Sequence, residues 1–71
     1  METRKLVSSN MNMASHDGRD MFIRFNSGST YKYESVPYLV FDQMCTAESV
    51  GKYFHQFVKG TYVYSKGLEN E

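Results

Sequence analysis

Residues 21–33 read MFIRFNSGSTYKY and decide the fold of this chain. Two apolar and aromatic runs flank Asn26-Ser27-Gly28, whose glycine falls where a three-residue hairpin loop needs a left-handed residue. That loop length places Tyr31 and Tyr33 on the same face as Ile23. A two-residue loop would exchange the faces and leave no coherent apolar side, so the three-residue loop is preferred. The sequence therefore predicts a β-hairpin with one apolar face.

The other face of the hairpin is the predicted partner-binding surface, and it carries Phe22, Arg24 and Lys32. An exposed phenylalanine between two cations fits burial against a protein partner or a second copy of the chain. The same residues fit stacking on a nucleic-acid base with flanking phosphate contacts. A solvated face is a third interpretation, because apolar atoms are common on protein surfaces.

A further strand is predicted before the hairpin, over residues 6–14, where apolar residues such as Val7 and Met11 alternate with polar ones. Residues 15–20 carry turn chemistry, with an Asp-Gly pair at their centre, and join this strand to the hairpin. Residues 1–5 are predicted to be an N-terminal lead outside the domain.

Two helices are predicted after the hairpin. Val36-Pro37 ends the strand, and apolar residues then recur at helical spacing to about Cys45. Ser49 is suited to cap a second helix that runs to about Lys59, and Gly60 supplies a left-handed stop. The apolar stripe of the second helix contains Val50, Phe54, Phe57 and Val58.

The predicted fold class is α+β, a small antiparallel three-stranded sheet with two helices packed on one face in the order β-β-β-α-α. An optional short C-terminal strand lies at 61–64. One domain spans residues 6–64, and residues 65–71 are predicted to be a flexible polar tail. The predicted structural core contains Tyr31, Tyr33, Phe25, Phe54 and Phe57.

The order and spacing of several short motifs resemble the KTSC domain, which is named for the C-terminus of certain lysyl-tRNA synthetases. The motifs are Val7-Ser8-Ser9, Phe25-x-x-Gly28, Tyr31-x-Tyr33, Val36-Pro37 and Ala47-x-Ser49-x-Gly51-x-Tyr53-Phe54. The resemblance implies a small domain that also occurs alone in bacterial and phage proteins, and for which RNA binding has been suggested because one host protein handles tRNA. His16 and His55 depart from the pattern, in which Tyr and Asn are more typical.

Length and composition exclude several classes of protein. With 71 residues, of which 41% are apolar and 15% aromatic, the chain makes one domain with a thin core that gains from dense aromatic packing or a dimer. A single cysteine excludes an internal disulfide, and no signal peptide or membrane-spanning run is present, so the chain is predicted to be cytoplasmic. Eight basic and eight acidic residues cancel, which disfavours binding by non-specific phosphate contacts.

No residue pattern indicates catalysis, a metal or a cofactor, so none of these is predicted. His16, His55 and Cys45 lack the paired spacing of a zinc site. Cys45 lies on the apolar stripe of the first helix, where a buried thiol is unreactive, and the carboxylates are scattered along the chain.

Gly51 is unusual because glycine near the start of a helix costs about 1 kcal/mol relative to alanine. One interpretation is that it lets a neighbouring backbone or ring approach closely. The other is that Ser49, Gly51 and Lys52 receive an anion at the helix N-terminus.

The leading functional hypothesis is a non-enzymatic protein-interaction module of phage or mobile-element origin. It binds and modulates a host or partner protein, or associates with itself. The alternative is an RNA or single-stranded DNA binding module that uses the Phe22, Arg24 and Lys32 face. In that alternative, Lys52, His55 and Lys59 on the second helix add contacts to the nucleic acid.

Overall fold

Five antiparallel strands form one sheet in the computed structural model, which describes residues 1–66. Neighbouring strands in the sheet are also consecutive in the sequence. The strands are β1 (Glu2–Lys5), β2 (Met11–His16), β3 (Met21–Phe25), β4 (Thr30–Tyr33) and β5 (Tyr64–Lys66). The α+β class is confirmed, but the prediction of three strands is wrong.

The helices lie between β4 and β5 in the sequence and cover one face of the sheet. Helix α1 spans Tyr38–Thr46, and α2 spans Val50–Tyr53 and continues directly into a π-helical turn over Phe54–Val58. The predicted cap is confirmed, because the Ser49 hydroxyl accepts a hydrogen bond from the Lys52 amide at 3.3 Å. None of the helices within residues 1–66 has the length and apolar character needed to cross a bilayer.

The β3–β4 hairpin has the predicted register. The Phe25 amide donates to the Ser29 carbonyl at 2.8 Å across the loop, and Gly28 has a φ of +98°. Ile23 pairs with Tyr31, as the three-residue loop requires. The side chains of β3 and β4 therefore alternate between the helix-covered face and the opposite face as predicted.

The segment before the hairpin differs from its prediction. The sheet register shifts between Met11 and Met13, which marks a β-bulge at Asn12. The extra residue breaks the period-two pattern, so Met11, Ala14 and His16 are the buried residues of β2. Val7, which was predicted to face the core, lies in the β1–β2 connection and is 99% exposed.

Residues 1–5 are not a lead outside the domain, because Glu2–Lys5 form the edge strand β1. The strand has no alternation of apolar and polar residues, so the sequence pattern did not predict it. Charged residues are common on the edge strands of sheets. Arg4 connects β1 to α1 through two contacts. Its guanidinium forms a salt bridge with Asp42 at 2.8 Å and lies over the ring of Phe41, 5.1 Å from the ring centroid.

The core lies between the sheet and the helices. Four of the five predicted core residues are buried in it or pack against it. Tyr33 and Phe54 are buried, while Phe25 and Tyr31 are partly buried and pack against the core. Burial raises the pKa of Tyr33 to about 12. Phe57 was predicted to be a core residue, and this is wrong, because it is 51% exposed and stacks on Tyr53 with 4.7 Å between ring centroids.

The π-helical turn explains the exposure of Phe57. The Lys59 amide donates to the Phe54 carbonyl five residues earlier, at 2.8 Å. Because this turn is wider than that of an α-helix, the residue three positions after Phe54 is rotated away from the sheet, and Val50, Phe54 and Val58 form the buried row. In a regular α-helix a residue three positions after Phe54 would share that face.

The C-terminal strand begins later than predicted. Residues 61–64 were the expected strand, and a polar tail was expected from residue 65, yet β5 runs over Tyr64–Lys66. Ser65 pairs with Lys32, and the Tyr64 ring packs against Tyr33 with 5.8 Å between centroids. Aromatic packing therefore fixes this polar segment to the sheet. The rest of the predicted tail, residues 67–71, lies outside the described residues.

Candidate functional site

The predicted partner-binding residues lie together on the sheet face opposite the helices, which we call the outer face. Phe22 on β3 is flanked by Ser15 of β2 and Lys32 of β4. Phe22 and Lys32 are half-buried by their strand neighbours, while Arg24 is exposed. The structure thus brings Phe22, Arg24 and Lys32 to one surface, and β1 adds Lys5 opposite Met13.

A shallow depression of about 180 Å³ lies beside Phe22 on the outer face. It is lined by Met13, Ser15, Phe22, Arg24 and Thr30. Met13 and Phe22 give the depression two apolar walls, and Arg24 gives it one cation. Such a depression is complementary to an apolar side chain with a negative charge beside it.

The Lys32 ammonium is partly neutralised by a carboxylate at the edge of the outer face. Its Nζ lies 3.7 Å from Oδ2 of Asp20, which is nearly buried. The other oxygen of Asp20 accepts a hydrogen bond from the Ser35 amide at 2.9 Å and holds that residue at a φ of +54°. Arg24 and Lys5 are consequently the more available cations of the outer face.

A groove on the opposite side of the molecule was not predicted from the sequence. It consists of three adjoining depressions between α2, its π-helical turn and the ends of the strands. At one end an aromatic pocket of about 250 Å³ is lined by Phe25, Tyr31, Tyr33, Phe54, Tyr64, Lys59 and Gly60. Next to it lies a section of about 400 Å³, which we call the polar section for its Ser9, Asn10, Asn26 and Ser27 side chains. Its lining also includes Met11, Phe25, Gly51, Phe54, His55 and Lys59.

The third depression of the groove, of about 520 Å³, lies against α2 and includes Lys52 and His55. The structure thus brings Lys52, His55 and Lys59 to one groove, as the nucleic-acid alternative requires. They lie on the helix side, however, away from Phe22 and Arg24 on the outer face. These two sets of residues therefore form separate surfaces and not one continuous binding face.

The groove carries positive charge although the whole chain is neutral. Lys52, Lys59 and His55 contribute to its lining, and none of the described lining residues is Asp or Glu. Hydrogen bonds from Asn26 hold one rim in place, since its amide donates to the Asn10 carbonyl at 2.7 Å and its Nδ2 to the Ser9 carbonyl at 2.9 Å. Its lysines therefore give the groove a charge that is complementary to an anionic group.

Gly51 lines the groove and is not required by the packing. A Cβ atom at this position would meet Ser8 Oγ alone within 4 Å in the described part of the chain, at 3.9 Å, which is ordinary contact. Its φ is not in the left-handed region that the glycines 18, 28 and 60 occupy. The prediction that this glycine permits a close approach within the fold is wrong.

The variant Gly51→Ala is expected to raise the free energy of unfolding by up to about 1 kcal/mol, because alanine is the better helix former and the space is free. Urea denaturation followed by circular dichroism measures the change. Gly60→Ala is the control and is expected to be destabilising, because Gly60 has a φ of +82°. A less stable Gly51→Ala protein would contradict the geometry of this position.

The residues considered for catalysis and metal binding lie on three different elements. His16 ends β2, Cys45 lies in α1, and His55 is exposed on the π-helical turn. Burial raises the pKa of the Cys45 thiol, so the thiolate is disfavoured. Within residues 1–66, no cluster of three His, Cys, Asp or Glu side chains is arranged to hold a metal ion.

His16 has a structural position that its turn-like sequence did not indicate. It is 3% exposed, and its Nε2 lies 2.7 Å from the Val36 carbonyl oxygen. Its Nδ1 accepts a hydrogen bond from the Gly18 amide at 3.0 Å, so Nε2 carries the proton and donates to Val36. The imidazole therefore joins the β2–β3 turn to the segment that leads into α1.

Comparisons with known proteins agree with this architecture. The KTSC domain matches residues 7–62. A crystal structure of a KTSC domain protein from Yersinia pestis has a TM-score of 0.83 at 26% identity, covering 93% of this chain and 96% of that one. A protein of Tsukamurella paurometabola is 39% identical over 54 residues, which cover 73% of this chain and 81% of that protein.

A lysine–tRNA ligase of Trichormus variabilis is also similar to this chain. It is 43% identical over 44 residues, which are 62% of this chain. The same segment is only 8% of the ligase, so the similarity covers a small part of that enzyme. Several residues that carry the family pattern, among them Ser9, Phe25, Gly51 and Phe54, line the groove.

Proposed function

This chain belongs to the KTSC domain family, and we propose that it is a non-enzymatic interaction module that binds a protein partner through its outer face. The observation that carries the proposal is the position of Phe22 on the central strand β3, on the face that the helices leave open. An aromatic side chain beside a shallow depression is a common anchor of protein interfaces.

The charges of the outer face indicate the chemistry of the partner. Lys5, Arg24 and Lys32 surround Phe22 and Met13, and Lys32 is partly neutralised by Asp20. An acidic protein surface that inserts one apolar side chain beside Phe22 complements this arrangement. The chain then acts by occupying a surface of its partner. Phage or mobile-element origin, and a host protein as the partner, stay predictions.

Affinity capture followed by a binding measurement with the purified partner tests the proposal. Phe22→Ser and Arg24→Glu are each expected to weaken binding by about tenfold or more, because an anchor contact and a complementary charge are lost. Phe57→Ser is the matched control, since Phe57 is an exposed aromatic residue on the helix side. A partner that binds all four proteins equally, or a purified chain that recovers none, would count against the outer face.

Binding of RNA or single-stranded DNA by the outer face is the second candidate, and the similarity to a segment of a lysine–tRNA ligase favours it. Phe22 would stack on a base, and Arg24 and Lys5 would contact phosphates. Fluorescence anisotropy with short oligomers at about 50 mM salt, where phosphate contacts are strong, measures this binding. Affinity that falls with salt and is lost in Arg24→Glu supports it, and absence of binding removes it.

A further inference from the structure

The aromatic pocket of the groove is bounded by a closed circuit of five rings. Consecutive centroids in the circuit lie between 5.3 and 6.0 Å apart. The order around the circuit is Phe25, Tyr31, Tyr64, Tyr33, Phe54 and back to Phe25. The circuit joins residues of β3, β4, β5 and the π-helical turn, so only the folded sheet assembles it.

Two lysines near the rings determine which ligand charge this pocket favours. Lys59 lines the pocket, and Lys66 Nζ lies 6.0 Å from the ring centroid of Tyr31. Aromatic circuits without such neighbours bind quaternary ammonium groups, but a cationic ligand here would meet like charges. A flat, uncharged ring that carries an anionic substituent satisfies both the aromatic walls and the lysines.

The polar section of the groove adjoins the aromatic pocket and shares Phe25, Phe54 and Lys59 with it. It offers the neutral polar side chains Ser9, Asn10 and Ser27 together with His55. Hydroxyl and amide groups both donate and accept hydrogen bonds, which matches the hydroxyls of a sugar, whereas a bare carboxylate needs donors only. A ligand that spans the two sections therefore has a ring in the aromatic pocket, and hydroxyls and a negative charge near Lys59 in the polar section.

We propose that the groove binds a nucleotide, with the base against the rings of the aromatic pocket and the phosphate at Lys59 and His55, which both line the adjoining polar section. The aromatic pocket, of about 250 Å³, has room for one base, so the proposed ligand is a mononucleotide. This site is separate from the outer face and does not depend on the function proposed for that face.

The experiment titrates the isotope-labelled chain with the four 5′-ribonucleoside monophosphates and follows its amide resonances by nuclear magnetic resonance. At least one nucleotide is expected to shift resonances around Gly60, Gly51 and Tyr64 and to leave those around Phe22 unchanged. The corresponding nucleoside is expected to bind about tenfold more weakly, because the phosphate contact to Lys59 is lost. Inorganic phosphate alone is expected to bind more weakly still, because it lacks the stacking ring.

Two groove variants and one outer-face variant complete the test. Lys59→Gln and Tyr64→Ala are each expected to weaken nucleotide binding by about tenfold. Tyr64→Ala also removes the packing that fixes β5, so Lys59→Gln, at an exposed residue, is the variant that separates binding from folding. Arg24→Gln, also exposed, removes a cation from the outer face and is expected to leave the affinity unchanged. Unshifted spectra at about 10 mM of every monophosphate overturn the proposal, since any affinity that remains is then worth less than about 3 kcal/mol. It is equally overturned if Arg24→Gln weakens binding as much as Lys59→Gln, or if a trinucleotide binds and no mononucleotide does.

Discussion

Replacing Phe54 by alanine is expected to lower the free energy of unfolding by about 3–5 kcal/mol, whereas the same change at Phe57 is expected to cost at most about 1 kcal/mol. The two residues have the same side chain and lie three positions apart on one helical segment. Phe54 is 7% exposed and contacts the rings of Phe25 and Tyr33, so its removal leaves a cavity. Phe57 is 51% exposed and touches mainly Tyr53.

Urea denaturation of both variants, followed by far-ultraviolet circular dichroism, measures the difference. The comparison tests the π-helical turn directly, because a regular α-helix would place both side chains toward the sheet. Similar losses for Phe54→Ala and Phe57→Ala would show that Phe57 is a core residue after all. A domain of this size has little stability to lose, so Phe54→Ala is expected to be largely unfolded at 37 °C.

His16→Ala is expected to lower the free energy of unfolding by about 3 kcal/mol. The buried imidazole donates to the Val36 carbonyl and accepts from the Gly18 amide, so its removal leaves two backbone groups without partners. It also packs against Phe41, with 5.4 Å between ring centroids, and this contact is lost as well. The expected loss combines unsatisfied hydrogen bonds with a cavity.

His55→Ala is the matched control for this prediction, because His55 is the other histidine of the chain and is exposed on the π-helical turn. Its replacement is expected to change the free energy of unfolding by no more than about 0.5 kcal/mol. Guanidinium denaturation of both variants in parallel gives the comparison. A His16→Ala variant within 1 kcal/mol of wild type, on the order of one hydrogen bond, would disprove the bridging role of the imidazole.

The β3–β4 hairpin is the part of the fold that the sequence predicted in detail. Asn26-Ser27-Gly28 determines the loop length, and the loop length determines the register. The positions of Tyr33 in the core and of Arg24 on the outer face followed from that register alone. Local chemistry was sufficient because the two strands are joined by only a few residues.

The edge strand β1 was missed and β5 was placed too early in the sequence, because both strands are polar. The pairing of β1 depends on Arg4 reaching Asp42 and Phe41 on α1, and β5 depends on Tyr64 packing over the rings of β4. These contacts join residues that lie far apart in the chain. Neither short strand has an alternation of apolar and polar residues from which these distant contacts could be predicted.

Of the two candidate sites, the sequence predicted one and not the other. The outer face was predicted, because it consists of alternate residues on two consecutive strands. The groove was not, because its aromatic pocket combines residues from β3, β4, β5 and the π-helical turn. The anomalous glycine at position 51 and the predicted contact residues Lys52, His55 and Lys59 marked part of it in advance.

By itself, the sequence determined the α+β class, the central hairpin and its register, the cap at Ser49, and the family. These features depend on the conformations of single residues and on short-range spacing. Only the tertiary structure decided that Phe57 is exposed, that His16 is a buried bridge, and that five rings enclose a pocket beside Lys59. Each of these depends on which distant side chains fill the space around a residue, and packing between elements decides that after the local structure has formed.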